Sequence, residues 1–428
     1  MQGQLRLKSK MTLQNNLIST PRRHLIKGGL GLSFGLGFGL TSTHVLADTA
    51  KTQISRTQLP FAYGERELAS FPEKKPMIVL TSRPVQLETP FEYFDKKIIT
   101  PNDEFFVRYH IANIPRIIDP STFTLKIGGN VANPLELSLK ELKTKFTPQK
   151  LIAVNQCSGN SRGFFEPRAT GGQLGNGAMG NAQWVGVPLK DILKIANPGV
   201  GARQVSFNGL DTPVLPSEAD FIKSLNIDHA LDSNVMVAYE MNGADIPFLN
   251  GYPLKLVVPG YYGTYWVKHL SEINVIDTEY NGFWMNPAYR IPDNDCKCVE
   301  PGTAPTKTVP INKFTIRSFI TNLKNANTVI TNQSTEVRGI AFDSGIGISK
   351  VLFSSDDGNT WQETQLGQDL GKFSFRGWTT RFTPRNSGEL RLRAKAINRA
   401  GEEQPMSAKW MPAGYMRNVV ETVTVTSI

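Results

Sequence analysis

The chain has 428 residues, 40% of them hydrophobic and 20% charged, with a formal net charge of +10. Its first 47 residues hold six basic side chains (Arg6, Lys8, Lys10, Arg22, Arg23 and Lys27) and no acidic one, so the rest carries only 10 − 6 = +4. That small charge, spread along the chain without a Lys/Arg-rich block, argues against nucleic acid as a partner, and three cysteines are too few for a disulfide framework.

In chain order, the basic start is followed by an apolar, Gly-rich stretch from Gly28 to Leu40 and by Val45-Leu-Ala47, a small-residue cleavage site. Basic, apolar, small is the order of a signal peptide over residues 1–47. Within it, Thr20-Pro-Arg-Arg-His-Leu-Ile-Lys27 resembles the twin-arginine motif, an address for export of folded proteins, and so predicts a periplasmic protein. An ordinary secretory signal or a membrane anchor is the alternative, but the apolar stretch is too short and too rich in glycine for a spanning helix, so no stable membrane insertion is expected. The remaining 380 or so residues predict two domains.

Residues 48–312 are expected to form the first domain, of α+β class. From Arg56 to Lys97 the chain is Pro-rich and polar and reads as an extended arm. Between Asn102 and Asp277 the runs Phe123–Ile127, Val205–Phe207, Val235–Ala238 and Leu254–Val258 read as strands, with helices at Leu137–Lys145 and Pro188–Ile195. Residues 278–312 form an irregular, aromatic-rich connector. Residues 313–428 turn all-β: seven short apolar or alternating runs, from Phe314–Ile320 to Val419–Ser427, suggest an immunoglobulin-like sandwich.

The chemistry-bearing residues concentrate in the first domain. Asn155-Gln-Cys-Ser-Gly-Asn-Ser-Arg162 follows a buried-looking strand and sets Cys157 and Arg162 on one tight turn, where backbone can approach a ligand closely. A lone cysteine is commonly a small buried hydrophobe. At a strand end, however, its thiolate is also a ligand for a soft metal. In Phe105-Phe-Val-Arg-Tyr-His110, Arg108 and His110 point to one face. Cys296-Lys-Cys298 is too close for an easy disulfide and lacks the partners of a zinc site.

The cysteine octapeptide resembles the cysteine loop of the sulfite oxidase family of molybdopterin-dependent oxidoreductases, and residues 338–361 resemble that family's C-terminal dimerisation domain. The resemblance implies a molybdenum cofactor bound through the Cys157 thiolate, with Arg108, Arg162 and Tyr280 facing an anionic substrate. Tyr280 is matched through Glu279-Tyr-Asn-Gly-Phe283, which resembles the family's Asp/Glu-Tyr-x-Gly-Phe. His110, Asp211, Asn250, Lys255 and Lys268 would hold the pterin and its phosphate. Asn250 stands where vertebrate members have histidine, Lys255 where they have arginine, and Leu174 at a pocket-wall position often held by tryptophan. Trp410-Met-Pro-Ala-Gly414 lacks their third pocket arginine.

The implied reaction is oxidation of sulfite to sulfate. No Cys-x-x-Cys-His motif for haem occurs, so electrons would leave to a separate c-type cytochrome, which could be a free acceptor or a partner subunit. The chain would then be a homodimer or a heterodimer. A related sulfoxide reductase and a cofactor-free immunoglobulin-like binding protein remain as alternative readings.

Overall fold

The structure is a computed structural model that describes residues 56–59, 65–69 and 71–428. The export signal expected over residues 1–47 lies outside them. No helix among the described residues is long and apolar enough to cross a membrane.

The segment expected to lie as an extended arm instead builds a sheet. Arg56–Gln58, Glu65–Ala69, Met77–Ser82, Val85–Glu88 and Val107–Arg108 are neighbours in that order, all antiparallel. Met77-Ile-Val-Leu80 and Val85-Gln-Leu-Glu88 are short strand-forming runs, and the pairing of Ser82 with Val85 leaves Arg83-Pro84 as a two-residue reversal. Met77, Leu87, Val107 and Tyr109 then bury one another in a small core. Two charged residues are buried here, Glu88 at the end of a strand and Lys74 in the connection before Met77–Ser82, 2% and 8% exposed.

The α+β domain rests on two further sheets. One has the order Lys223–Asn226, Gln204–Gly209, Leu270–Ile276, Thr124–Gly129, Leu135–Ser138, and Leu270–Ile276 runs parallel to Thr124–Gly129. The other runs Ala244–Asp245, Met236–Met241, Met179–Pro188, Gln149–Gln156, with Lys255–Val257 also on Met236–Met241. Helices are few and short. Leu139–Lys145 opens with a capping box in which the Glu141 N–H donates to Ser138 Oγ and the Ser138 N–H donates to the Glu141 carboxylate. Leu189–Ala196 buries Leu189, Ile192, Leu193 and Ala196, one face at helical spacing.

Residues 313–428 form two sheets over a common core, with Val337, Trp378 and Phe353 among its buried side chains. Their orders are Arg317–Ile320, Thr335–Phe342, Arg376–Phe382, Gln365–Leu366, and Asn327–Val329, Thr422–Ser427, Gly388–Asn398, Ile348–Ser354, Gln362–Glu363. The expected runs Thr335–Phe342 and Ile348–Ser354 are strands end to end. Arg317, fully buried, donates to Ser161 Oγ at 2.9 Å and pairs with Glu421 at 3.0 Å, so a strand of this region reaches the cysteine loop directly.

Candidate active site: a thiolate, two arginines and a buried cluster of cations

Cys157 sits where the ladder between Gln149–Gln156 and Met179–Pro188 ends. Gln156 faces Met179, and one residue on the Cys157 N–H donates to the Ala178 carbonyl. The Asn160 N–H donates back to the Cys157 carbonyl, closing the turn. Ser161 is held at φ 70°, a left-handed conformation, with its hydroxyl pinned between Arg317 and Asn176. Opposite this turn the Glu88 carboxylate accepts the N–H groups of Gly175 and Gly177, both at 2.9 Å, and burial raises its pKa to about 7. Cys157 is a buried free thiol.

Arg162 leaves the turn through a slot made by absent side chains. A Cβ on Gly159, Gly171 or Gly414 would lie 2.6, 2.8 or 2.7 Å from its side-chain atoms. Its Nε donates to the Ala413 carbonyl at 2.8 Å and Nη1 to the Gly172 carbonyl at 3.1 Å, with the guanidinium 5.2 Å from the centre of the Tyr415 ring. Trp410–Gly414 is thus part of this slot even without an arginine of its own. Leu174 is packed into the core, its carbonyl accepting the Gly163 N–H.

Arg108 and His110 line the same cavity as Cys157, as their two-residue spacing predicts, although the strand itself is only Val107–Arg108. His110 stacks on Phe221 with centroids 3.7 Å apart, and burial holds its pKa well below the ordinary imidazole value. The neutral ring meets the Tyr289 hydroxyl at 2.7 Å through Nε2.

That hydroxyl stands where the sequence led us to expect Tyr280. Tyr289 lines the cavity; Tyr280, Arg162 and Asp211 do not. The Tyr280 backbone N–H donates to Gln204, and its ring folds over its own turn, where a Cβ on Gly282 would lie 2.3 Å from the hydroxyl. Tyr289, at φ 57° after Asn286-Pro287-Ala288, turns inward instead and stacks on Tyr415 at 5.4 Å, within the fields of Arg108, Cys157 and Arg162.

Behind the thiol, cations converge. Lys255 donates to the Asn250 carbonyl and lies 5.1 Å from the Trp184 ring; Lys268 donates to the Arg108 carbonyl at 2.7 Å. Lys74, which no sequence motif marks, donates to the carbonyls of Asn102 and Phe105 and to Asn250 Oδ1. Asn250 lines the cavity with both side-chain atoms engaged, Nδ2 donating to the Phe106 carbonyl, so it orients Lys74. Burial lowers the pKa of Lys74 and Lys255 to about 7 and that of Lys268 well below normal, with mutual repulsion adding to the effect on Lys255 and Lys268. Asp211 is the acid that acts on Lys268, and burial raises its own pKa to about 6.

Lys268 has Asp211 for its buried carboxylate, Lys255 feels the repulsion of Lys74, and Lys74 feels only the outlying Asp103 and Glu73, a deficit of negative charge that a polyanion bound among them would correct. The lining fits a bound polar cofactor in a second way, with one free acceptor and two hydroxyls. Asn155 Oδ1, Ser158 Oγ and Thr264 Oγ1 are buried without hydrogen-bond partners, and their residues line the cavity. At Gly263 a Cβ would lie 2.4 Å from Asn155 Oδ1, so the backbone there approaches as only glycine allows.

Cys296 and Cys298 correct another expectation: they form a disulfide. Lys297 between them takes φ 52°, and this left-handed turn brings the flanking Cα atoms to 5.1 Å, within the normal range for a disulfide.

A buried thiol and buried lysines on one cavity are a set that fits a thiolate-bound metal with a phosphorylated organic part. Residues 111–284 match the family described as "Oxidoreductase molybdopterin binding domain", and residues 308–428 match "Mo-co oxidoreductase dimerisation domain". Sulfite oxidase of Gallus gallus is 29% identical over 385 residues, covering 86% of this chain and 82% of that protein. Mitochondrial sulfite oxidase of Rattus norvegicus is 31% identical over 372 residues, covering 83% and 66%. The sulfane dehydrogenase SoxCD of Paracoccus pantotrophus has the same fold, with TM-score 0.67 and 20% identity over 91% of this chain and 93% of that one. The chain belongs to the sulfite oxidase family of molybdopterin-dependent oxidoreductases. Its cofactor is molybdopterin with molybdenum.

Proposed function

We propose that this enzyme oxidises sulfite to sulfate in the periplasm and passes the electrons to a c-type cytochrome. The observation that carries the reading is the gathering of Cys157, Arg108 and Tyr289 on one cavity, with Arg162 on the same turn as the thiol. Bound there, the cofactor supplies two-electron oxygen-atom transfer. Cys157 holds the metal, while Lys74, Lys255 and Lys268 hold the phosphate tail. Arg108 and Arg162 hold the sulfite dianion in paired, permanently charged forks. Tyr289, its hydroxyl steadied on neutral His110, donates or accepts at the substrate oxygen. The aromatic shell of Phe221, Trp284 and Tyr415 excludes water. Residues 313–428 pair the enzyme with a second copy or with a cytochrome subunit, as an immunoglobulin-like module.

Purified holoenzyme from the periplasmic fraction should reduce added cytochrome c, followed optically, only when sulfite is present. No sulfite-dependent reduction by molybdenum-loaded protein would sink this reading. In the same assay Tyr289→Phe should lower kcat/KM by up to about tenfold, since a neutral hydrogen bond contributes roughly 0.5–1.5 kcal/mol. Tyr280→Phe should remain near wild type. The reverse order would return the role to Tyr280.

A further inference from the structure

Lys223 lies outside the cavity lining and outside every motif used above. It opens the strand Lys223–Asn226, faces Phe207 in the ladder and is 1% exposed. Among the described residues no carboxylate pairs with it, and burial alone brings its pKa to about 7. Its ammonium donates to the Trp284 carbonyl at 2.6 Å and lies 5.0 Å from the centre of the Tyr289 ring and 4.7 Å from that of Tyr265.

A core position filled only for packing would be better served by an apolar side chain, because a buried cation without an acid is costly. What this one touches is aromatic and close to the chemistry. Two residues earlier Phe221 stacks on His110, and Trp284, whose carbonyl Lys223 holds, sets its edge against the same imidazole at 5.2 Å. One short segment therefore grips the His110–Tyr289 pair from both members. A cation on the π face fixes the ring and also draws density from the phenol, which strengthens its hydroxyl as a donor.

We propose that Lys223 is a positioning residue, holding the Tyr289 ring by a cation–π contact so that its hydroxyl stays on His110 and at the cavity beside Cys157. The inference rests on the sulfite-oxidising reading for its kinetic arm alone. In the holoenzyme, Lys223→Met is expected to lower kcat for sulfite roughly three- to tenfold, no more than loss of the Tyr289 hydroxyl itself, with little change in KM or molybdenum content. In a Tyr289→Phe background the same substitution should change kcat less than about twofold, because the hydroxyl it serves is gone. Lys223→Gln, which keeps a donor for Trp284 but not the charge, should behave like Lys223→Met. A crystal structure of Lys223→Met should show the 2.7 Å contact between Tyr289 and His110 opened beyond hydrogen-bonding distance. Wild-type kcat, an equal loss in both backgrounds, or an unmoved Tyr289–His110 pair would overturn the proposal. If the wild-type protein itself shows no sulfite turnover, the functional reading fails, and the crystallographic arm still decides the role of Lys223.

Discussion

Cys157→Ser should fold and retain its pterin yet lose turnover by far more than the roughly 10–100-fold typical of changes to residues that only support metal ligands. The substitution exchanges one buried sulfur for an oxygen at the end of a ladder whose backbone bonds, Cys157 N–H to Ala178 and Asn160 N–H to Cys157, do not involve the side chain. Serine oxygen is a poorer partner than thiolate for a soft metal, so the loss falls on the metal and not on the fold. Lys74, Lys255 and Lys268 remain in place to hold the phosphate. Metal and phosphate analysis with a thermal melt separates these outcomes, and full activity in Cys157→Ser would sink the assignment. Cys296→Ser and Cys298→Ser, whose disulfide lies in the connector, should change sulfite turnover far less.

What the sequence disclosed is what lies close together along the chain. Arg108 and His110 are two residues apart, so local geometry suffices to bring both to the cavity of Cys157, whereas Arg162 shares the turn of the thiol without lining that cavity. The same holds for Thr335–Phe342 and Ile348–Ser354, where alternation over seven or eight residues defines a strand by itself. Tyr280 lies off the cavity for the opposite reason. A pentapeptide match cannot tell which of two nearby tyrosines ends inside, because that depends on the left-handed turn at Tyr289 and on stacking against Tyr415, far along the chain. Lys74 and Asn250 are 176 residues apart, and neither reveals its partner locally. Lys223 and Glu88 are charged side chains, which read as exposed until distant strands cover them. The disulfide was missed because the conformation of Lys297, not the spacing, decides whether flanking cysteines meet.

Arg108→Gln and Arg162→Gln should each lower kcat/KM for sulfite by about one to two orders of magnitude, the equivalent of losing one charge-assisted hydrogen bond of roughly 1.5–3 kcal/mol. Both guanidinium groups act on Tyr289, and on the proposed reading both would face the same dianion, so the double substitution should cost less than the two single losses combined. The two sites differ in what else is lost. Arg162 fills the slot between Gly159, Gly171 and Gly414 and ties down the Ala413 carbonyl, so Arg162→Gln should also lower the melting temperature. Arg162→Lys separates charge from shape: it keeps a cation but lacks the planar fork and the Nε donor, and should recover only part of the lost kcat/KM. Strict additivity of the two glutamine variants, or wild-type sulfite kinetics in either with molybdenum intact, would mean that sulfite binds elsewhere than between these arginines.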